Sequence, residues 1–118
     1  MKAAELIARC FAARTAAHIA HLQTTSYAQH VALDEFYNAI VGLADSFAEA
    51  YQGLNGVITE YPSIPIPTGS PASWLQLLRG WVRTNRDECV DGKTELANMV
   101  DEILAQLDKT LYKLKTLR

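Results

Sequence analysis

Five side chains between residues 18 and 49 carry the chemistry most worth asking about: His18, His30, Asp34, Asp45 and Glu49, at successive steps of 12, 4, 11 and 4 residues. Imidazole nitrogens and carboxylate oxygens form a mixed donor set that suits Fe(II), Mn(II) or Zn(II) rather than a metal that prefers soft thiolates. In a helix, residues four apart sit one turn above each other, and eleven residues make about three turns. His30, Asp34, Asp45 and Glu49 therefore fall within about 100° of one helix face. One chain cannot close this set around one ion. At 1.5 Å per residue, Asp34 and Asp45 are roughly 16 Å apart along the helix, whereas metal ligands sit about 2 Å from their ion. A two-fold dimer with this helix antiparallel to its copy brings the 30/34 end of one chain beside the 45/49 end of the other and makes two equivalent sites.

His18 joins the set if the turn at residues 24–26 is tight. His21, three residues after His18, is read as a surface or hydrogen-bonded histidine outside the first shell. A histidine or an Asp/Glu pair alone would signify only a solvated helix face. The joint occurrence of all five is what points to a metal.

The elements that must hold these residues are helical. A first helix spans residues 2–24, with Ile7, Phe11, His18 and Leu22 on one stripe. A second runs from Ser26 or Tyr27 to about Leu54, with Leu33, Tyr37, Ile40, Ala44, Phe47, Tyr51 and Leu54 at steps of three or four, and Gly53 and Gly56 marking its end. All four prolines fall in "YPSIPIPTGSP", residues 61–71. Ser70 then serves as N-cap and Pro71 as first-turn residue of a third helix carrying Trp74, Leu78, Trp81 and Val82, with Gly80 as its weak point. A fourth starts near Asp91 to Thr94 and repeats Leu96, Met99, Val100, Ile103, Leu107, Leu111 and Leu114, ending in lysines and Arg118.

Four amphipathic helices with short first and last connections and a long middle one predict a single all-α domain over 1–118, a four-helix bundle with a ferritin-like crossover between the second and third helices.

Composition narrows the function classes. With 11 basic and 13 acidic residues the net charge is −2, and no lysine-rich arm supports nucleic-acid binding. Glu5, Arg9 and Arg14 interrupt any signal-peptide core, and no run of 18 apolar residues offers a membrane span, so a soluble, cytoplasmic protein is expected. Cys10 and Cys89 stand alone in sequence and read as buried or half-buried thiols.

The ordered set His18, His30, Asp34, Asp45, Glu49, with the surrounding "DEFY", "ADSFAEAY" and the C-terminal "LANMVDEILAQLDKTLYKL", resembles the Dps proteins, the mini-ferritins also called DNA-binding proteins from starved cells. The resemblance covers nearly the whole chain, loosely outside residues 18–49. It implies a ferroxidase centre shared by two-fold related chains, with His18, His30 and Asp34 from one and Asp45 and Glu49 from the other. It also implies a shell of twelve chains that oxidises Fe(II) to Fe(III) with peroxide or oxygen, stores the iron and protects against oxidative damage. Zinc or manganese are substitutes for iron in such a site. This chain departs from the family at Ile19, where a tryptophan is common, and in "QTTS", where a glycine is common. The prolines of 61–71 are expected to remove the short helix of the family's crossover.

Asp101, Glu102 and Asp108 are candidates for an acidic inner surface, and Trp74, Trp81, Tyr27 and Tyr37 are read as core or interface residues rather than electron donors. Two alternatives remain: a ferritin-like shell or structural protein with little turnover, and a helical dimer binding zinc through His18 and His21. Asp45 and Glu49 discriminate, because a zinc site on His18 and His21 has no use for them.

Overall fold

The computed structural model describes residues 1–117, which form α1 (Lys2–Gln23), α2 (Tyr27–Asn55), α3 (Pro71–Val90) and α4 (Thr94–Thr116), with no strand among them. Arg118, expected to favour the end of the fourth helix, lies outside the described residues. α2, at 29 residues, is about 44 Å long by the usual helical rise and sets the long dimension of a molecule measuring 44 × 25 × 21 Å. No helix among the described residues is long and apolar enough to cross a membrane.

The breaks have local causes. Ser26 caps α2 by accepting a hydrogen bond from the Gln29 amide at 3.2 Å, while the Thr24 hydroxyl accepts from the Ser26 amide at 3.1 Å, which braces the three-residue turn after α1. α2 runs through Gly53 and stops at Gly56, whose φ of 88° lies in the left-handed region that glycine enters without strain. α3 begins at Ser70–Pro71 as expected, but the Ser70 side chain makes no cap bond; its carbonyl accepts from the Ser73 and Trp74 amides instead. Gly80 does not interrupt α3. Asp91 (φ 47°) and Gly92 (φ 74°) then reverse the chain into α4.

α1 and α4 each pack on both α2 and α3, and the backbones of the diagonal pairs stay apart. The connection at 57–70 contains no helix. Its prolines lack amide donors, so it runs as an extended strap. The strap follows α1 in the same direction: Tyr61 and Pro62 lie by Ala8 and Phe11, and Ile66 to Gly69 by Ala16 and Ala20. Alanines at 8, 12, 16 and 20 give it a shallow shelf. It delivers the chain to the end where α2 began, so α3 runs parallel to α2. This is the long crossover of a ferritin-like bundle.

The core confirms most of the periodic positions: Leu33, Ile40, Ala44, Phe47, Leu96, Val100, Ile103 and Leu107 are enclosed, and so are Phe36 and Leu75, which the expected stripes did not include. In α1 the expected stripe holds at Ile7 and fails at Phe11 and Leu22. Phe11 and Leu22 are 41% and 73% exposed, and the buried side consists of Leu6, Ile7, Cys10 and six alanines. Leu54, expected on the α2 stripe, is also exposed. Asp101 and Asp108, considered for an inner acidic surface, are engaged across the α3–α4 seam: Arg86 holds Asp101 through two bonds of 2.8 and 3.0 Å, and Arg79 holds Asp108 at 3.1 Å. Trp74 is buried and Trp81 lies under the Arg9 guanidinium at 4.7 Å, which agrees with a packing role.

Cys10 and Cys89 are both buried. Burial, and secondarily Cys89, push the Cys10 thiol up to about 12; burial, and secondarily Glu88, push Cys89 up to about 11. Both thiols stay protonated in ordinary buffers and are poor nucleophiles. A disulfide-exchange reagent is expected to leave both untouched in the native protein at mildly alkaline pH and to titrate both after unfolding. Because their folded values lie above the ordinary 9.0, their contribution is fully present below 9.0 and is lost as pH rises toward about 11 and 12. Denaturation midpoints measured across that window should fall less steeply in a Cys10→Ala Cys89→Ala variant.

Candidate metal site on the face of α1 and α2

The tight turn at 24–26 folds the last turns of α1 against the first turns of α2, and the three histidines meet there. His21 and His30 stack face to face, with centroids 3.6 Å apart and planes inclined by 20°. His18 stacks on Tyr37 at 4.2 Å and touches His21 edge-on at 6.0 Å. All three histidines, Asp34 and Tyr37 are half-buried.

Each member of the stacked pair bonds to the other's backbone. His21 Nδ1 lies 2.8 Å from the His30 carbonyl oxygen, and His30 Nδ1 lies 2.8 Å from the His21 carbonyl oxygen. A carbonyl oxygen only accepts, so both Nδ1 atoms donate, and each neutral ring is left with its lone pair on Nε2. That is the form in which imidazole binds a metal.

One turn along α2 from His30, Asp34 is oriented by its neighbours. Tyr37 Oη donates to Asp34 Oδ1 at 2.7 Å, and Asn38 Nδ2 donates to the same oxygen at 3.3 Å and to the Asp34 carbonyl at 2.9 Å. The hydrogen bond to Asp34, then burial and the Asp34 charge, raise the Tyr37 hydroxyl above its ordinary value, against the opposing Arg14 guanidinium 5.7 Å from the ring. Among the described residues Oδ2 of Asp34 has no hydrogen-bond donor, and it is the oxygen left for a cation.

Asp45 and Glu49 lie on the same face of α2, farther from the turn. Both are exposed, and among the described residues neither is in an ion pair. No group of three or more His, Cys, Asp or Glu side chains among the described residues converges where one chain could hold a metal. His18 and Asp34 each contact Tyr37 and His30 stacks on His21, but the three do not converge as ligands of one ion within the chain, and Asp45 and Glu49 lie farther along α2. The cleft of about 460 Å³ between α1, α3 and the strap, lined by Ile64, Pro67, Trp74 and Trp81, is elsewhere; its one charged group, Arg9, is already bound to Glu5.

Sequence reasoning set His21 aside and gave Tyr37 only a packing role. The signal for His21 was available: it lies nearly as far before the middle of the 24–26 turn as His30 lies after it, so a tight antiparallel turn brings them level. Tyr37 sits three residues after Asp34, which is the helical spacing for contact.

No solved structure matches this chain. A protein of Enterobacteria phage T4, described as an uncharacterized 14.6 kDa protein in the mobD-ri intergenic region, is 28% identical over 112 residues, covering 94% of this chain and 86% of the phage protein. Residues 21–114, a span that takes in His21, His30, Asp34, Asp45 and Glu49 but not His18, match a single family description, and the chain belongs to the Family of unknown function (DUF5856).

Proposed function

We propose that this protein is a mini-ferritin of the Dps type, which binds ferrous iron between two antiparallel copies of α2 and oxidises it to the ferric state with peroxide or oxygen. The observation that carries the reading is the half-site at the α1–α2 turn, where His30 has its Nε2 lone pair free one turn from the open Oδ2 of Asp34. The other half is supplied by Asp45 and Glu49 of a second copy. The pairs His30/Glu49 and Asp34/Asp45 share one midpoint, between residues 39 and 40, as a two-fold axis across α2 requires. Val41, 40% exposed, lies beside that midpoint and gives the axis an apolar contact.

Iron is the substrate. Asp34, Asp45 and Glu49 supply negative charge that favours the ferric product over the ferrous ion, and a carboxylate between two ions can bridge them. The histidines are neutral donors that leave coordination positions for the oxidant. His18, flat against Tyr37, completes the set after rotation toward His30. Twelve chains in a closed shell, with mineral stored inside, follow from the Dps resemblance and are part of this proposal. Manganese or zinc would compete for the same ligands.

Two measurements on one sample test the reading. Ferrous iron and peroxide are mixed anaerobically with the protein, and ferric absorbance is followed against buffer; acceleration is expected, and a rate equal to buffer refutes the oxidation. Hydrodynamic mass should be an even multiple of the chain. A one-chain mass at working concentration refutes the shared site. A structural shell with little turnover would keep the mass and lose the rate.

A further inference from the structure

We propose that His21 is a positioning residue, not a ligand: it fixes the His30 ring in the one neutral form that exposes Nε2 to the cation. This rests on the reading of His30 and Asp34 as ligands given above.

Three observations lead to it. First, the two 2.8 Å bonds are reciprocal: the backbone carbonyl of residue 21 accepts from His30 Nδ1, while the His21 ring donates to the His30 carbonyl and stacks on the His30 ring, which keeps that ring over its acceptor. Second, the His21 carbonyl lies in the last turn of α1, which ends at Gln23, so it has no amide four residues on within the helix. His30 Nδ1–H satisfies it. The end of one helix is thereby capped by the ring that sets the ligand on the next. Third, stacked rings 3.6 Å apart cannot both bind one ion. A metal sits in the plane of its imidazole at about 2 Å from the nitrogen, and an ion in one of these planes is far out of the other. Of the two, His30 is one helical turn from Asp34 and shares its face of α2, so His30 is the ligand and His21 holds it. This is the arrangement in which an outer partner fixes the tautomer of a metal-binding histidine, with the backbone carbonyl as acceptor.

The test reads the tautomer in the metal-free protein and affinity separately. Long-range proton–nitrogen NMR in mildly alkaline buffer, where an ordinary histidine is neutral, distinguishes Nδ1–H from Nε2–H rings. His30 is expected as a single Nδ1–H species in the wild type. His21→Ala keeps the backbone carbonyl that accepts from His30 Nδ1 but loses the stacked, donating ring that holds His30 over it, so His30 should become a mixture containing the Nε2–H form that free histidine prefers. Affinity for Co(II) alone, measured by calorimetry, should fall about 10- to 100-fold in His21→Ala. His21→Asn, whose amide can donate to the His30 carbonyl as Nδ1–H does, should recover part of both signals, which loss of bulk packing would not explain.

An Nε2–H ring at His30 in the wild type overturns the proposal, and so does an unchanged Co(II) affinity in His21→Ala. A wild-type protein that takes up no Co(II) refutes the metal reading itself. The tautomer measurement would still decide whether His21 fixes His30.

Discussion

Two inactive variants are expected to restore activity to each other when mixed. In the proposed shared site, Asp45→Ala Glu49→Ala removes the carboxylates that one copy would lend to its partner, and His30→Ala Asp34→Ala removes the half-site that would receive them. Each should oxidise ferrous iron at least about 100-fold more slowly than wild type, the upper range of what loss of a mere outer-shell partner costs a metal site. Random exchange makes about half of the dimers mixed, and each mixed dimer carries one intact site of two, so the mixture should recover about a quarter of the wild-type rate. A site built within one chain predicts no recovery. The zinc alternative on His18 and His21 predicts that the Asp45→Ala Glu49→Ala variant keeps its full metal affinity. Stability should not confuse the result for Asp45→Ala Glu49→Ala. Asp45 and Glu49 are exposed and unpaired among the described residues, and such surface changes shift stability by no more than about 0.5 kcal/mol each.

The bundle was readable because the chain's breaks are chemical. Four prolines cannot sit in a helix interior, Gly56 and Gly92 take positive φ, and between them large apolar residues recur at helical steps in α2, α3 and α4. α1 was misread because its buried side is made of alanine. A pattern search weighted by large side chains selects Phe11 and Leu22, whereas the close approach of the strap and of α3 favours small residues facing inward and leaves those two at the surface. The pairing of Arg79 with Asp108 and Arg86 with Asp101 was not legible either, since it depends on the register between α3 and α4, which no local signal encodes. Of the candidate site, spacing alone placed His30, Asp34, Asp45 and Glu49 on one face of α2 and led to the proposal of a second chain. It could not locate the reciprocal bonds of His21 and His30, because these depend on how tightly three turn residues close.

The same helix that carries the proposed ligands on one side anchors the core on the other, and the largest loss of stability is expected there. Phe36 and Phe47 are fully enclosed on the inner side of α2. Phe36→Ala removes a ring from a close-packed interior that can relax only in part, at a cost of about 3 to 5 kcal/mol. For a domain whose whole margin is on the order of 5 to 15 kcal/mol, that is a large fraction, and at roughly 4 °C per kcal/mol the thermal midpoint should fall by about 12 to 20 °C. Phe36→Leu, which keeps most of the apolar volume, should lose much less. Tyr37→Phe, one residue along, is the informative contrast. Its ring stays against His18, and only the hydroxyl bond to Asp34 Oδ1 is lost. Its midpoint should therefore stay close to wild type while its Co(II) affinity drops, because Asp34 is then held by Asn38 alone. If instead Tyr37→Phe melts as early as Phe36→Ala and binds Co(II) as tightly as wild type, the tyrosine belongs to the core and Asp34 is not oriented through it.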